Sequence, residues 1–185
     1  MYNSTLLPKQ QLLSVIEDRC DTKIAFKRII NFFDVNKNKN KKTKILDCGQ
    51  TYIWEDIDHR YFNIYRTHNL KSGYLNKLYD IIIYEPPRKK GYEIVSKESA
   101  KRFVKSISNN GVVIVRTNDF KEAGSLELKG SFNVKNEFEA AGFLLYDRIV
   151  YRHKGIIDNK ELPTNRSQII HSDFLIFKEK KHGKH

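Results

Sequence analysis

The chain predicts an α/β domain built on a mostly parallel, doubly wound sheet with an antiparallel hairpin at one edge, and three observations carry that expectation. Short β-prone runs alternate with helical patterns across residues 43–151, the order of strand, crossover helix and parallel strand. Residues 79–84, Tyr-Asp-Ile-Ile-Ile-Tyr, form a nearly continuous apolar run, as expected of a strand covered on both faces. The last two strand-like runs, residues 143–151 and 168–178, have only a polar loop between them, so they pair antiparallel.

The elements follow in order. A first helix is expected over residues 9–20, where Leu12, Ile16 and Cys20 share a face and Pro8 stands at the entry. Asp21 or Thr22 caps a second helix, whose broad stripe is Ala25, Phe26, Ile29, Ile30 and Phe33. This N-terminal helical pair is read as packing on the sheet rather than as a DNA-reading helix-turn-helix. Residues 36–42 contain no apolar side chain and form either a solvated linker or a phosphate-contacting arm. Strands are expected at residues 43–48, 61–66, 79–84 and 111–117. Before the last of these, Ser96 caps a helix running to about residue 108 with Ala100, Phe103, Val104 and Ile107 inward, and Asn109-Asn110-Gly111 turns the chain. A helix bearing Val134, Phe138 and Ala141 stops at Gly142. The layout is a helical extension (1–35), a basic linker (36–44), the α/β domain (45–180) and a basic tail (181–185).

With 185 residues, 39% of them hydrophobic, the chain suffices for one domain with a sizeable core. No apolar run approaches the roughly 20 residues of a membrane span, and the first residues carry no secretory pattern. Cys20 and Cys48, the two cysteines, lie outside any metal-ligand or disulfide spacing, and His153 and His171 have no ligand partners nearby in sequence, so no metal is expected. A reducing compartment, cytoplasm or nucleus, fits this usage. A formal charge of +12 and a pI near 9.6 point to a polyanionic partner, nucleic acid above all; a lysine-decorated surface is the plain alternative.

The residues that could carry chemistry gather after the apolar strand. Glu85-Pro86-Pro87-Arg88 follows Tyr84 directly and is delivered to the carboxyl edge of the sheet, where active sites form in such folds. Two prolines fix φ and supply no N–H, so the acid and the carbonyls beside them are held rigidly toward a planar ligand. An exocyclic amine on a base needs such acceptors.

The run Tyr-Asp-Ile-Ile-Ile-Tyr-Glu-Pro-Pro resembles the signature of S-adenosylmethionine-dependent methyltransferases that modify amino groups (N6 of adenine or N4 of cytosine) in DNA or RNA. The resemblance continues in Asn110-Gly111-Val112-Val113-Ile114-Val115-Arg116-Thr117, in Gly142-Phe143-Leu144-Leu145-Tyr146-Asp147 and in His171-Ser172-Asp173-Phe174-Leu175-Ile176-Phe177-Lys178. It covers about residues 44–178 and implies a Rossmann-like class I methyltransferase fold. It further implies that Glu85 and the carbonyl of Pro86, with Pro87 and Arg88 alongside, hold the acceptor amine of a flipped base. Arg88 stands where the family has an aromatic, and Tyr84 or Tyr92 would stack in its place.

Ile45-Leu46-Asp47-Cys48-Gly49-Gln50 resembles the family's first strand and cofactor turn, so Asp47, Cys48, Gly49 and Gln50 are the implied S-adenosylmethionine contacts. One glycine stands where the family has two or more. Where the second strand ends the chain reads Tyr65-Arg66-Thr67-His68-Asn69, without the family's ribose-binding acid; Glu55, Asp56 and Asp58 are either substitutes for it or solvated charges. Lys89, Lys90, Arg152, Lys154 and Arg166 are the candidate phosphate contacts. Three functions stay open: a methyltransferase acting on a base amine; a catalytically inactive relative that binds nucleic acid or supports a second methyltransferase-like subunit in a homo- or hetero-oligomer; and, last, methylation of a protein or small molecule, which leaves the positive charge unexplained.

Overall fold

The structure is a computed structural model and describes residues 15–16, 22–34, 41–49, 60–67, 73–86, 88–89, 92–93, 97–117, 130–152 and 171–180. The strands are β1 (Val15–Ile16), β2 (Thr43–Cys48), β3 (Phe62–Arg66), β4 (Tyr79–Tyr84), β5 (Arg88–Lys89), β6 (Tyr92–Glu93), β7 (Ile107–Thr117), β8 (Phe143–Arg152) and β9 (His171–Glu179). The helices are α1 (Thr22–Phe33), α2 (Lys97–Ser106) and α3 (Gly130–Ala140), with one 3-10 turn at Gly73–Asn76.

Seven strands form one sheet in the order β1-β8-β9-β7-β4-β2-β3, and β5 and β6 form a separate two-stranded ribbon. β3, β2, β4 and β7 run parallel, while β9 pairs antiparallel with both β7 and β8. The architecture is the α/β, mostly parallel sheet with an antiparallel hairpin that the sequence predicts.

Alternation along the strands builds two cores. Ile45, Ile81, Ile83, Val112, Ile114, Phe174 and Ile176 face α1 through Ala25, Phe26, Ile29, Ile30 and Phe33. Leu46, Ile82, Tyr84, Val113, Val115, Leu175 and Phe177 face α2 and α3 through Ala100, Phe103, Val134 and Phe138. The sheet is thus doubly wound, and both faces of its central strands are buried, as the period-2 pattern of apolar residues requires. α1 runs from the carboxyl edge, where the ring of Phe26 meets that of Phe174 at 4.8 Å, to the amino edge, where Asp34 accepts a hydrogen bond from the Thr43 hydroxyl.

Two irregularities shape the sheet. Along β8 the register passes from Leu145↔Phe177 to Asp147↔Ile176, so Tyr146 is one extra residue. Parity inverts there: Phe143 belongs to the α2/α3 core, whereas Ile149 and Tyr151 belong to the α1 core. Along β7 the register jumps from Tyr79↔Ile107 to Ile81↔Val112. The expected turn at Asn109-Asn110-Gly111 is therefore an excursion within β7. Gly111 is required in it, because a Cβ there would lie 2.9 Å from the Asp80 carbonyl oxygen and 2.7 Å from Ile107 Cδ1.

One expectation is corrected. Val15 and Ile16, placed in a first helix, form a strand parallel to β8 in the register Val15↔Val150 and Ile16↔Tyr151. Adjacent β-branched residues suit a strand, and the outer edge of β8 offers backbone partners. The rest of that segment lies outside the described residues. Among the described residues, no helix is long and apolar enough to cross a membrane.

Candidate active site

Four parallel strands end side by side at the carboxyl edge in the order β7-β4-β2-β3, and each ends with a charge on the α1 face. Arg116 on β7, Glu85 after β4, Asp47 on β2 and Arg66 on β3 follow the parity of Ile114, Ile83, Ile45 and Ile64, which line that face. The registers Tyr84↔Val115 and Asp47↔Arg66 make the outer members neighbours of the inner ones. Arg116 Nη1 is 2.8 Å from Glu85 Oε1, and Arg66 Nε is 3.5 Å from Asp47 Oδ2. The result is a row of two carboxylates flanked by two guanidinium groups.

Gly49 joins the two halves. Its N–H donates to Asp47 Oδ1 at 2.8 Å, so the carboxylate fixes the backbone where β2 ends. A Cβ at Gly49 would stand 2.9 Å from Asp47 Oδ1 and 3.1 Å from Glu85 Oε2. Both oxygens therefore approach one point, and their separation is at most 6.0 Å, the sum of the two. Only glycine admits that approach without displacing a carboxylate.

Asp47 is fully buried and Glu85 nearly so. Burial of two like charges this close is unfavourable unless each is compensated, and the two arginines supply the compensation. Cys48, between Asp47 and Gly49, faces the other way, into the α2/α3 core. Burial pushes its thiol from 9.0 up to about 12, and the Asp47 carboxylate adds to the effect. Its side chain is thus a protonated group of that core, turned away from the face that carries Asp47 and Glu85.

The remaining expectations divide. Pro86 is buried beside Glu85. Arg88 and Lys89 form β5, with Arg88 opposite Glu93 and Lys89 opposite Tyr92, so the chain after the prolines folds into a short ribbon. Arg152 closes β8 opposite His171. Gln50, Pro87, Lys90, Lys154 and Arg166 lie outside the described residues, as do Glu55, Asp56 and Asp58. Among the described residues no group of three or more His, Cys, Asp or Glu side chains is placed to hold a metal.

Three arginines have partners that the sequence reading does not give. Arg116 and Arg66 each end an apolar strand, yet the pairing of Arg116 with Glu85 depends on β7 lying beside β4. The third is Arg148 on β8, whose Nε and Nη2 donate to the two oxygens of fully buried Asp173 at 3.1 and 2.8 Å. For Arg116 the one signal in the sequence is a lone arginine directly after the apolar run Val112-Val113-Ile114-Val115.

No family model matches the chain, and no curated protein matches it. Solved structures do. M1.HpyAVI is 18% identical over 57% of this chain and 46% of its own, with a TM-score of 0.39. A protein of Thermoplasma acidophilum described as a methyltransferase is 9% identical over 92% of this chain and 69% of its own, with a TM-score of 0.45. A TehB-like S-adenosylmethionine-dependent methyltransferase from Corynebacterium glutamicum is 13% identical over 76% of this chain and 82% of its own, with a TM-score of 0.41. The chain spans about half the length of M1.HpyAVI. At these identities the likeness is one of fold, and function is read from the residues of this chain.

Proposed function

We propose that this chain is an S-adenosylmethionine-dependent methyltransferase acting on an amino group of a nucleic-acid base. The observation that carries the reading is the convergence of Glu85 Oε2 and Asp47 Oδ1 on Gly49 at the ends of two central strands. In an open α/β sheet this edge is where ligands bind.

The donor set suits the cofactor. Its sulfonium and ammonium groups are cationic and match two buried carboxylates, and Gly49 leaves the backbone bare at their meeting point. Asp47 and Gly49 would hold it, and Arg66, where the family has an acid, would donate to ribose oxygens instead of accepting from its hydroxyls. When bound, the cofactor supplies an electrophilic methyl group.

The chain's own work is then positioning and charge. Glu85 accepts an N–H of the base amine and aims the nitrogen lone pair at the Gly49 side of the site. As the nitrogen forms its new bond it becomes positive, and the nearby carboxylate stabilises that charge and offers a route for the departing proton. Arg116 holds Oε1 and leaves Oε2 toward Gly49.

A second reading has its own support. Arg116 already occupies one oxygen of Glu85 and Arg66 stands beside Asp47, an arrangement that also suits an inactive relative which binds nucleic acid or supports a catalytic partner. Calorimetric titration with S-adenosylmethionine separates the two. Binding below millimolar concentration, followed by cofactor-derived methyl incorporation into oligonucleotides by wild type but not by Glu85→Ala, is the expected result. No binding at millimolar cofactor sinks the enzyme reading for this chain, and equal transfer by the two proteins removes Glu85 from the site.

A further inference from the structure

The amino edge of the sheet, opposite the charged row, carries a second concentration of exposed groups. Lys41 and Lys42 precede β2, Arg60 and Tyr61 precede β3, and Lys77 and Leu78 precede β4; all six are exposed, and so is Lys44 just inside β2. The three strands are neighbours in the order β4-β2-β3, and Thr43 N–H donates to the Tyr61 carbonyl at 3.0 Å. The entries into these strands therefore lie side by side, at steps of about 4.8 Å.

The patch is basic and aromatic together. Tyr61 and Leu78 are 59% and 58% exposed, and the Arg60 guanidinium stands 5.7 Å from the centroid of the Tyr61 ring. The described carboxylates nearby are engaged inward. Asp80 is buried and accepts from Lys44 N–H and the Ser108 hydroxyl at 3.0 and 3.1 Å, and half-buried Asp34 accepts from Thr43. Cations spaced along an edge track a phosphate backbone, and an exposed ring beside them offers a face for a base.

We propose that this amino edge is an anchoring surface for single-stranded nucleic acid, with Lys41, Lys42, Lys44, Arg60 and Lys77 on phosphates and Tyr61 stacking on a base. β4, six residues long, separates it by about 20 Å from Glu85, so it acts on affinity rather than on the chemical step. The assignment rests on the nucleic-acid half of the function proposed above and is independent of methyl transfer.

Fluorescence anisotropy of the full chain with a labelled single-stranded 20-mer tests it. Lys41→Glu/Lys42→Glu/Lys77→Glu is compared with Lys101→Glu/Lys105→Glu/Lys180→Glu, an equal charge change at exposed sites elsewhere, and far-UV circular dichroism verifies that both fold. The patch triple is expected to bind at least about tenfold more weakly and to flatten the plot of log affinity against log salt by about 2, the share of three phosphate contacts. The control triple should change affinity by less than about threefold. Tyr61→Ala should weaken binding about fivefold or more while Tyr61→Phe keeps it, since stacking needs the ring and not the hydroxyl. Equal losses in the two triples, or no wild-type binding, overturn the proposal. Patch-dependent binding without methyl transfer sinks the enzyme reading and leaves the anchor standing.

Discussion

Arg116 Nη1 lies 2.8 Å from Glu85 Oε1, one strand away, and the pair sits at the end of a sheet whose two faces are both covered. Neither group is surrounded by water, with side-chain exposures of 19% and 9%, so each depends on the other. Removing one partner of such a pair strands the remaining charge.

Arg116→Met is therefore expected to lower stability by about 3 kcal/mol, whereas Arg116→Met/Glu85→Gln together should cost about 1 kcal/mol or less, because no charge is then left behind. Urea unfolding of the three proteins measures the coupling. Additive losses would mean that the two side chains are not partners in solution.

Gly49→Ala places a methyl group 2.9 Å from Asp47 Oδ1 and 3.1 Å from Glu85 Oε2. The carboxylates must move apart, at a cost of about 1–3 kcal/mol for overpacking. Cofactor affinity should fall by at least about tenfold, read by calorimetry. Unchanged affinity would place the cofactor away from this turn.

Cys48 gives the protein a defined alkaline limit. Its thiol releases a proton at 9.0 in the unfolded chain and at about 12 in the folded one. Between those values the unfolded chain has lost a proton that the folded one keeps, so rising pH favours unfolding, while below 9.0 the group adds no pH dependence. The loss is at most about 1.4 kcal/mol per pH unit. Denaturant midpoints of wild type and Cys48→Val from pH 8 to 11 should diverge only above about 9, with the wild type falling faster. Parallel curves would show the thiol to be ordinary.

Deleting Tyr146 tests the bulge in β8. Tyr146 is 47% exposed, and Lys178 Nζ lies 3.5 Å from its ring centroid, so Tyr146→Ala should cost about 1 kcal/mol. The deletion instead joins Leu145↔Phe177 and Asp147↔Ile176 into successive pairs of one regular ladder, so Ile149 and Tyr151 keep the α1 face. Thermal melts should show a cooperative transition for both the substitution and the deletion variant. Loss of that transition in the deletion variant alone would refute the register.

The elements legible in the sequence are those that announce themselves locally. Residues 79–84 read as a buried strand because their apolar run has no helical gap, and α1 reads as a helix because Ala25, Ile29 and Phe33 repeat every four residues. Residues 9–20 misled because Leu12, Ile16 and Cys20 have helical spacing, while the pairing of Val15 and Ile16 with β8 joins segments more than 130 residues apart in sequence. Glu85 was visible through its prolines. Arg116, Arg66 and Arg148 were not, since each acquires its partner from sheet order and register. The bulges were hidden for the same reason: a one-residue insertion leaves a strand looking like a strand.

α1 has a practical consequence beyond packing. It covers Ile45, Ile81, Ile83, Val112, Ile114, Phe174 and Ile176 with its own apolar stripe, so a shortened chain beginning after residue 34 would present a greasy plane several strands wide to solvent. Such a fragment would clump with its own copies rather than report on binding or catalysis, and the segment before the basic run belongs in every preparation used to study this protein.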